Sequence, residues 1–208
     1  MLQGDESAEG VIDRVVTGFG DDSVQQLMMI SMVFENASNI LTKKIEWGRL
    51  RAYLEQSTRY IFFDQKDANG NYRYFVPRLP AEIEREYRDT NDRIFDIYSK
   101  MVRGMTEYIR VKIKEPSDKK ERIAWLGATR AQACDAVRPV LPASTTSTVG
   151  IVASSQSIEY LILHLAGERL LECRKASGDI LREARKVAAP FLKRADMPER
   201  GGAMVAYR

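Results

Sequence analysis

Residues 80–112, PAEIEREYRDTNDRIFDIYSKMVRGMTEYIRVK, contain the longest uninterrupted helical pattern of the chain. Apolar side chains recur in this stretch at the spacing of one face of an α-helix. They are Ile83, Tyr87, Ile94, Tyr98, Met101, Met105, Tyr108 and Ile109. The pattern predicts one long amphipathic helix, and Pro116 marks its end because a proline ring does not fit inside a helix.

Two segments rich in aromatic and β-branched residues lie before this helix, at residues 59–64 and 72–76. The loop between them contains Asn69-Gly70, a dipeptide that strongly favours a tight hairpin turn. The sequence therefore predicts a β-hairpin immediately before the long helix.

Three further segments precede the hairpin. Residues 7–17 and 37–50 have helical patterns, and the first ends at a Gly-rich stretch near residues 18–23. Residues 27–34 are apolar and rich in methionine, and a run of this length fits either a strand or a buried helix.

After the long helix, Asp118 and Glu121 have the spacing of a capping box, which predicts a helix that runs to about Val137. Residues 145–153, TTSTVGIVA, are β-branched and predict an extended segment. The chain then closes with helical patterns at about residues 155–175 and 178–194, divided near Ser177-Gly178.

The elements together predict an α+β fold that is mostly helical with a small antiparallel sheet. Strands and helices do not alternate as βαβ units, so a doubly wound parallel sheet is not expected. We predict a single domain over residues 1–194, followed by a linker or frayed tail at residues 195–208, which are charged and Gly-rich.

Composition excludes several classes of function. The 208 residues carry 32 Lys and Arg against 29 Asp and Glu, and this balance gives no electrostatic footprint for nucleic acid. No apolar run reaches the roughly 18 residues of a membrane-spanning helix, and residues 1–10 do not have the pattern of a signal peptide. Cys134 and Cys173 form no C-x-x-C motif, which favours a reduced, cytoplasmic location.

The single histidine, His164, narrows the chemistry further. A Ser-His-Asp triad, a Cys-His pair or a histidine-based zinc site would each depend on it, yet it lies in an apolar run without a ligand pattern. We therefore predict no metal site and no imidazole-centred catalysis. Walker A and G-x-G-x-x-G phosphate-binding loops are also absent from the sequence.

Residues 49–60, RLRAYLEQSTRY, combine three arginines, a carboxylate and two hydroxyls. Arginine forks match phosphate oxygens in two-point contacts, and a serine hydroxyl adds a further donor. On residue types alone, a solvated segment with local ion pairs such as Arg51 with Glu55 explains the pattern better than a binding site does.

A family resemblance favours the binding site over the solvated segment. Residues 55–60, EQSTRY, resemble the second half of the signature R-H-R-x-x-S-x-N-E-x-S-x-R-Y of flavin-dependent thymidylate synthases. Residues 20–24, GDDSV, resemble the family's G-H-x-S-V turn, and residues 135–142, DAVRPVLP, resemble its A-R-x-x-L-P block. Residues 145–174 occupy the place of its T-x-x-x-W-x-x-N-A-R-S-L region. The blocks agree in order and spacing over most of residues 20–195.

The resemblance implies an enzyme that makes dTMP from dUMP. The family uses methylenetetrahydrofolate as carbon donor, FAD in its reduced form as hydride donor, and NADPH as the reductant. It forms a homotetramer whose sites are built from several chains. Its partner is thus a nucleotide substrate, not a nucleic acid or a membrane.

The matching positions imply residue roles. Glu55, Ser57 and Arg59 would face dUMP, with Ser57 and Arg59 near the phosphate, and Arg138 matches a further nucleotide-binding arginine. Arg49 matches the last arginine of R-H-R and, with Ser23 of the upstream turn, is assigned to cofactor binding. Arg138 precedes a proline, so we expect an extended backbone that points its side chain consistently. No catalytic residue is assigned.

The sequence departs from the family where the chemistry takes place. Trp47 and Gly48 replace the first two residues of R-H-R, while Ala52 and Leu54 replace the signature's first serine and its asparagine. Leu165 stands where an arginine contacts the pyrimidine. Losing one such group typically costs on the order of 10²–10³ in rate.

Three hypotheses therefore stay open. The chain is a thymidylate synthase with a diverged site, a non-catalytic domain of the same fold that serves assembly, or a relative that binds another nucleotide. The family usually has some tens of residues before the Gly-Asp-Asp-Ser turn, so we also expect that the chain is one part of a longer or tandem protein.

Overall fold

The computed structural model describes residues 7–19 and 23–207. Of the predicted GDDSV turn, Gly20, Asp21 and Asp22 lie outside the described residues. The described chain divides into two compact units. The first unit contains the N-terminal segment up to Phe34, residues 41–54 and the C-terminal segment from Val149. The second contains residues 35–40 and 55–148.

The described residues form seven α-helices and three β-strands. The helices are α1 (Ala8–Asp13), α2 (Asn39–Glu46), α3 (Ala81–Lys112), α4 (Lys119–Val137), α5 (Ser155–Ala166), α6 (Leu171–Ala188) and α7 (Ala203–Tyr207). The strands are β1 (Met29–Ser38), β2 (Arg51–Glu55) and β3 (Thr146–Ser154). Among these elements, no helix is both long enough and apolar enough to cross a membrane.

The described strands form one antiparallel sheet in the order β1-β3-β2. Strand β3 is central, and Val149, Ile151 and Ala153 are buried along one of its faces, as the two-residue period of a strand requires. The methionine-rich segment is strand β1 and not a buried helix. The predicted class, α+β and mostly helical with a small antiparallel sheet, is confirmed.

The second unit is organised by the long helix. Helix α3 is continuous from Ala81 to Lys112, as predicted. Its residues Phe95, Tyr98 and Val102 are fully buried in a core that α4 completes with Ala133, Cys134 and Val137. Helix α4 begins where the capping signal placed it, because Asp118 Oδ1 accepts hydrogen bonds from the backbone N–H groups of residues 120 and 121, at 2.9 and 3.0 Å.

The predicted hairpin is wrong, although its turn forms. Gly70 has a φ of 79°, which glycine adopts without strain, and Asp67 Oδ1 accepts backbone N–H bonds from Asn69 and Asn71. Residues 61–67 nevertheless belong to no strand. Tyr74 forms an isolated bridge with Thr145 instead, so a long-range partner displaces the local one.

The division of the closing helices is also wrong. The break lies between Ala166 and Leu171, and α6 passes through Ser177-Gly178 without interruption. Ser177 is buried, and its hydroxyl donates a 2.8 Å hydrogen bond to the carbonyl oxygen of Ile162 in α5. Packing of α6 on α5 therefore overrides the weak local helix propensity of Ser-Gly.

Residues 198–207 of the C-terminal tail are helical. A π-helical turn at Pro198–Gly202 leads into α7, and the Asp196 carboxylate forms a 2.6 Å ion pair with Arg185 of α6. Gly201 is buried, and a Cβ at this position would overlap the carbonyl oxygen of Ala195. The tail thus requires glycine where two backbone segments approach closely.

Candidate phosphate-binding site

The end of strand β2 is held by hydrogen bonds through Gln56. Its backbone N–H donates to the carbonyl oxygen of Thr148 at 2.8 Å, and its own carbonyl oxygen accepts from Ser147 Oγ at 3.0 Å. Its side-chain Oε1 accepts from Arg73 Nη2 at 3.1 Å. Since backbone and side chain are both engaged, Gln56 fixes the direction of the chain between Glu55, the last residue of β2, and the turn that follows.

Ser57 opens a turn that carries the motif's arginine. The Ser57 hydroxyl oxygen accepts a 3.3 Å hydrogen bond from the backbone N–H of Arg59, and its carbonyl oxygen accepts one from the N–H of Tyr60 at 3.3 Å. This serine turn leaves the Arg59 side chain exposed. The structure therefore presents Ser57 and Arg59 from the same short turn.

Arg59 and Arg138 meet at one carboxylate oxygen. Arg59 Nε and Arg138 Nη2 each lie 3.2 Å from Asp135 Oδ1. The side chains of Arg59, Arg138 and Asp135 are about half exposed, at 51%, 45% and 42% respectively, and Asp135 Oδ1 accepts no hydrogen bond from the described residues. The contacts are ion pairs, which are worth little each at such exposure. We call these three residues the Arg59–Asp135–Arg138 cluster.

The backbone at Arg138 differs from the expectation. Arg138 caps α4 with φ −52° and ψ −27°, a helical conformation and not an extended one, and its N–H donates to the carbonyl oxygen of Cys134. A following proline disfavours this conformation but does not forbid it. The helical cap places Arg138 one turn after Asp135, which brings the two side chains into contact.

The cluster has the chemistry of an anion site. Two guanidinium groups converge on the position of a single oxygen, and with one carboxylate the cluster keeps a net charge of +1. Guanidinium forks match phosphate oxygens, and the Ser57 hydroxyl is a further donor on the same turn as Arg59. A phosphate group is therefore a suitable ligand for these side chains.

The residues assigned to cofactor binding lie in the first unit. Ser23 is exposed at the start of a 3₁₀ turn, Ser23–Gln26, and Arg49 is exposed just before β2. The structure thus brings Arg59 and Arg138 together at Asp135, whereas Ser23 and Arg49 lie at separate places along the chain of the first unit, before β1 and before β2.

Position 48, where the family signature has histidine, is filled by a neighbouring side chain. A Cβ on Gly48 would collide with the guanidinium group of Arg51. The Arg51 guanidinium carbon lies 6.0 Å from the centre of the Tyr160 ring. Arg51 Nε is buried, and no acceptor in the described part of the chain bonds it. A side chain at position 48 and the Arg51 guanidinium group in its present position would therefore overlap.

Sequence reasoning missed Asp135 as a member of the site. Its spacing of three residues from Arg138 is typical of an ion pair on a helix. The Asp135–Arg138 contact could therefore have been predicted from the sequence. The contact with Arg59 joins residues 76 positions apart (135 − 59) and has no local signal. Gln56 was also missed, because its role lies in long-range backbone bonds.

A buried polar cluster of the first unit was missed as well. Glu159 of α5 pairs with Arg194 at 2.9 Å, and their side chains are only 7% and 12% exposed. Gln25, fully buried, donates from Nε2 to Glu159 Oε2 at 2.6 Å and to the carbonyl oxygen of Phe191, and its Oε1 accepts from Arg194. Each charge has a partner, as burial requires.

His164 and the two cysteines are the other side chains with reactive groups that the sequence analysis considers. His164 Nε2 lies 3.5 Å from the Glu168 carboxylate. Cys134 and Cys173 are free and buried, and burial raises the pKa of both thiols, that of Cys173 to about 11. Across residues 7–19 and 23–207, no three His, Cys, Asp or Glu residues are grouped so as to hold a metal ion.

Comparison with known proteins gives one family match and several relatives. The family described as thymidylate synthase complementing protein matches residues 2–190. A UPF0159 protein of Chlamydia pneumoniae is 33% identical over 98% of this chain, and one of Chlamydia muridarum is 30% identical over 93%. A UPF0159 protein of Thermoplasma acidophilum is 28% identical over 85%. The chain spans about two fifths of the length of these relatives, namely 39%, 37% and 40%.

Proposed function

Because the chain belongs to the family of thymidylate synthase complementing proteins, as its sequence predicts, we propose that it binds a pyrimidine nucleotide such as dUMP and acts in thymidylate synthesis. The observation that carries the proposal is the Arg59–Asp135–Arg138 cluster. Its two guanidinium groups already share one anionic oxygen, each at 3.2 Å. A nucleotide phosphate would take over this role from the carboxylate.

In this proposal each residue of the site has a distinct task. Arg59 and Arg138 balance the charge of the phosphate, and the Ser57 hydroxyl donates to one of its oxygens. Glu55, at the end of β2 and partly buried, is the candidate for contact with the nucleoside. Gln56 keeps Glu55 and the Ser57 turn in register through its three hydrogen bonds.

We further propose FAD as the cofactor. Arg49 is exposed just before β2, and Arg51, the first residue of β2, has an unbonded guanidinium nitrogen, so this part of the chain has the cations that a diphosphate needs. When bound, the flavin would supply hydride for the methylation, with methylenetetrahydrofolate as carbon donor and NADPH as reductant. The chain's own share is to bind the two phosphate-bearing partners and to orient them.

One observation favours a second candidate function. The space of the missing histidine is occupied by the Arg51 guanidinium, so the imidazole of the family signature has no counterpart at position 48. Together with Leu165 at the position of a ring-facing arginine, this supports a relative that binds nucleotide without catalysis. A cytoplasmic location and a homotetramer complete the proposal.

Isothermal titration of the full chain with dUMP tests the nucleotide site. Arg59→Gln and Arg138→Gln should each weaken binding by about tenfold to a hundredfold, the range expected for one charge-assisted bond. Arg122→Gln is the matched control, because Arg122 lies in α4 and pairs with Glu115 outside the cluster. Equal losses in all three variants would reject the site.

Two further measurements separate the candidate functions. Visible absorbance of the protein with excess FAD reports flavin binding, and dTMP formation with dUMP, methylenetetrahydrofolate and NADPH reports catalysis. Flavin binding with dTMP formation supports the synthase. Binding of dUMP with no product under these conditions supports the non-catalytic relative.

A further inference from the structure

Helix α3 has apolar side chains on two of its sides. One side is buried in the core of the second unit through Phe95, Tyr98 and Val102. On another side, large apolar side chains are between 45% and 87% exposed, namely Ile97, Met101, Tyr108 and Val111. A helix at the surface of a protein normally has one apolar stripe, which faces the core. The described residues therefore leave a second apolar stripe of α3 open to solvent.

The exposed residues have the spacing of a coiled-coil seam. Alternating steps of four and three residues separate Ile97, Met101, Gly104, Tyr108 and Val111. This spacing keeps the residues in one row along a helix, and it is the pattern by which two helices pack along their length. The row spans about 21 Å of helix, at a rise of about 1.5 Å per residue. We call these five residues the α3 stripe.

Gly104 lies at the centre of the α3 stripe. A Cβ at this position would have no neighbouring atom within 4 Å, so no contact within the described chain requires glycine here. Glycine also weakens a helix interior relative to alanine. The missing side chain instead permits a second helix to approach the backbone of α3 closely at this point.

The charges beside the α3 stripe indicate the nature of its partner. Lys100 and Glu107 are exposed, lie seven residues apart and flank the stripe on the same side. No ion pair within the described chain engages either of them. If a second copy of α3 lies antiparallel, with the two Gly104 residues opposite each other, Lys100 of each copy lies opposite Glu107 of the other. The flanking charges are thus complementary to those of a second copy.

We propose that the α3 stripe is a contact between two copies of this chain, whose α3 helices pack antiparallel around Gly104. Ile97 then meets Val111 of the second copy, and Met101 meets Tyr108 of the second copy. Each pair forms twice, because the contact is two-fold symmetric. One helix pair of this length buries less than the about 800 Å² per partner of a stable interface, so this contact should dissociate on dilution. It shares no residue with the Arg59–Asp135–Arg138 cluster and does not rest on the proposed nucleotide binding.

Charge reversal tests both the partner and the direction of the helices. Lys100→Glu places like charges opposite each other at two points of the contact, and so does Glu107→Lys. Each variant alone should associate about fivefold to a hundredfold more weakly than the wild type, because two attractive pairs become repulsive. An equimolar mixture of the two variants should associate again, because each pair across the contact then joins opposite charges.

Sedimentation velocity of the full chain, over a range of concentrations at low salt and without nucleotide, measures this association. Arg169→Glu is the matched control, because it makes the same charge change as Lys100→Glu at an exposed position between α5 and α6. It should associate as the wild type does. If the charge variants also associate as the wild type does, the copies join through another surface and the proposal is overturned.

Gly104→Gln tests the close approach of the helices without changing any charge. The open space at this position and the better helix propensity of glutamine should keep the thermal midpoint of unfolding at or above that of the wild type. The added side chain should nevertheless hold the two helices apart and weaken association by about tenfold or more.

Three results would each overturn the proposal. They are a wild-type chain that stays monomeric at every concentration, undiminished association in Gly104→Gln, and a mixture of Lys100→Glu and Glu107→Lys that does not associate. Because the measurement contains no nucleotide, each of these results leaves the proposed dUMP site standing. Failure of dUMP binding would likewise leave the α3 contact standing.

Discussion

Replacing Asp135 with asparagine removes the carboxylate that now occupies the anion position between Arg59 and Arg138. The perturbation is nearly isosteric, and it leaves both guanidinium groups in place. Since Asp135 is the internal competitor of a phosphate, we expect Asp135→Asn to bind dUMP more tightly than the wild type. This expected gain in dUMP affinity is opposite in sign to the loss of affinity expected of a variant that only disorders the site.

The size of the effect follows from the exposure of the cluster. Each of the two ion pairs joins side chains that are 42% to 51% exposed, and such pairs contribute about 0.2–1 kcal/mol each. Releasing both of them therefore returns about 0.4–2 kcal/mol, or about a twofold to thirtyfold gain in dUMP affinity. Because these contacts are screened by salt, the gain should shrink as the salt concentration rises.

The assay is isothermal titration with dUMP at low and high salt, with Asp89→Asn as control. Asp89 is exposed on α3, in the same unit, so its replacement changes the net charge equally without touching the cluster. Unchanged or weaker dUMP binding in Asp135→Asn would refute the view that Asp135 holds the place of a phosphate. An equal gain in dUMP affinity in Asp89→Asn would show that the effect comes from the change in net charge and not from the cluster.

Three predictions concern other parts of the molecule. Glu159→Gln removes the carboxylate that pairs with the largely buried Arg194, so urea denaturation should give a free energy of unfolding lower by about 3–5 kcal/mol; a change below 1 kcal/mol would contradict the buried pair. Burial, followed by a hydrogen bond to a carboxylate, raises the pKa of Tyr74 to about 12. Its phenol therefore stabilises the fold below pH 10, and this contribution is lost as the pH rises towards 12; Tyr74→Phe should show less alkaline destabilisation in thermal melts. Cys134 and Cys173 should react with a thiol reagent only after unfolding, because burial raises the pKa of both thiols; fast labelling of the native chain would disprove their burial.

The sequence predicts those parts of the fold that local signals encode. The start of α4 follows from Asp118, and the extent of α3 follows from apolar spacing between Pro80 and Pro116, so both are correct. The family was also identified correctly, because the identification rests on several motifs that occur in the family's order. Each of these signals lies within a short stretch of chain, where propensity and capping act directly.

Long-range contacts decide the parts that the sequence does not predict. Tyr74 pairs with Thr145 and not with its hairpin neighbour, and Ser177 lies within a helix because its hydroxyl bonds to α5. The Arg59–Asp135 contact and the filling of position 48 by Arg51 likewise depend on tertiary packing. Local patterns do not contain this information.

The central claim is that Arg59 and Arg138 recognise the phosphate of a pyrimidine nucleotide. The most direct measurement compares the affinities of dUMP and deoxyuridine, which differ only in that phosphate, for the wild type and for Arg59→Gln. The account predicts that the wild type binds dUMP at least tenfold more tightly than deoxyuridine, and that Arg59→Gln removes most of this difference. Equal affinities for the two compounds in the wild type, or an undiminished preference for dUMP in Arg59→Gln, would contradict it.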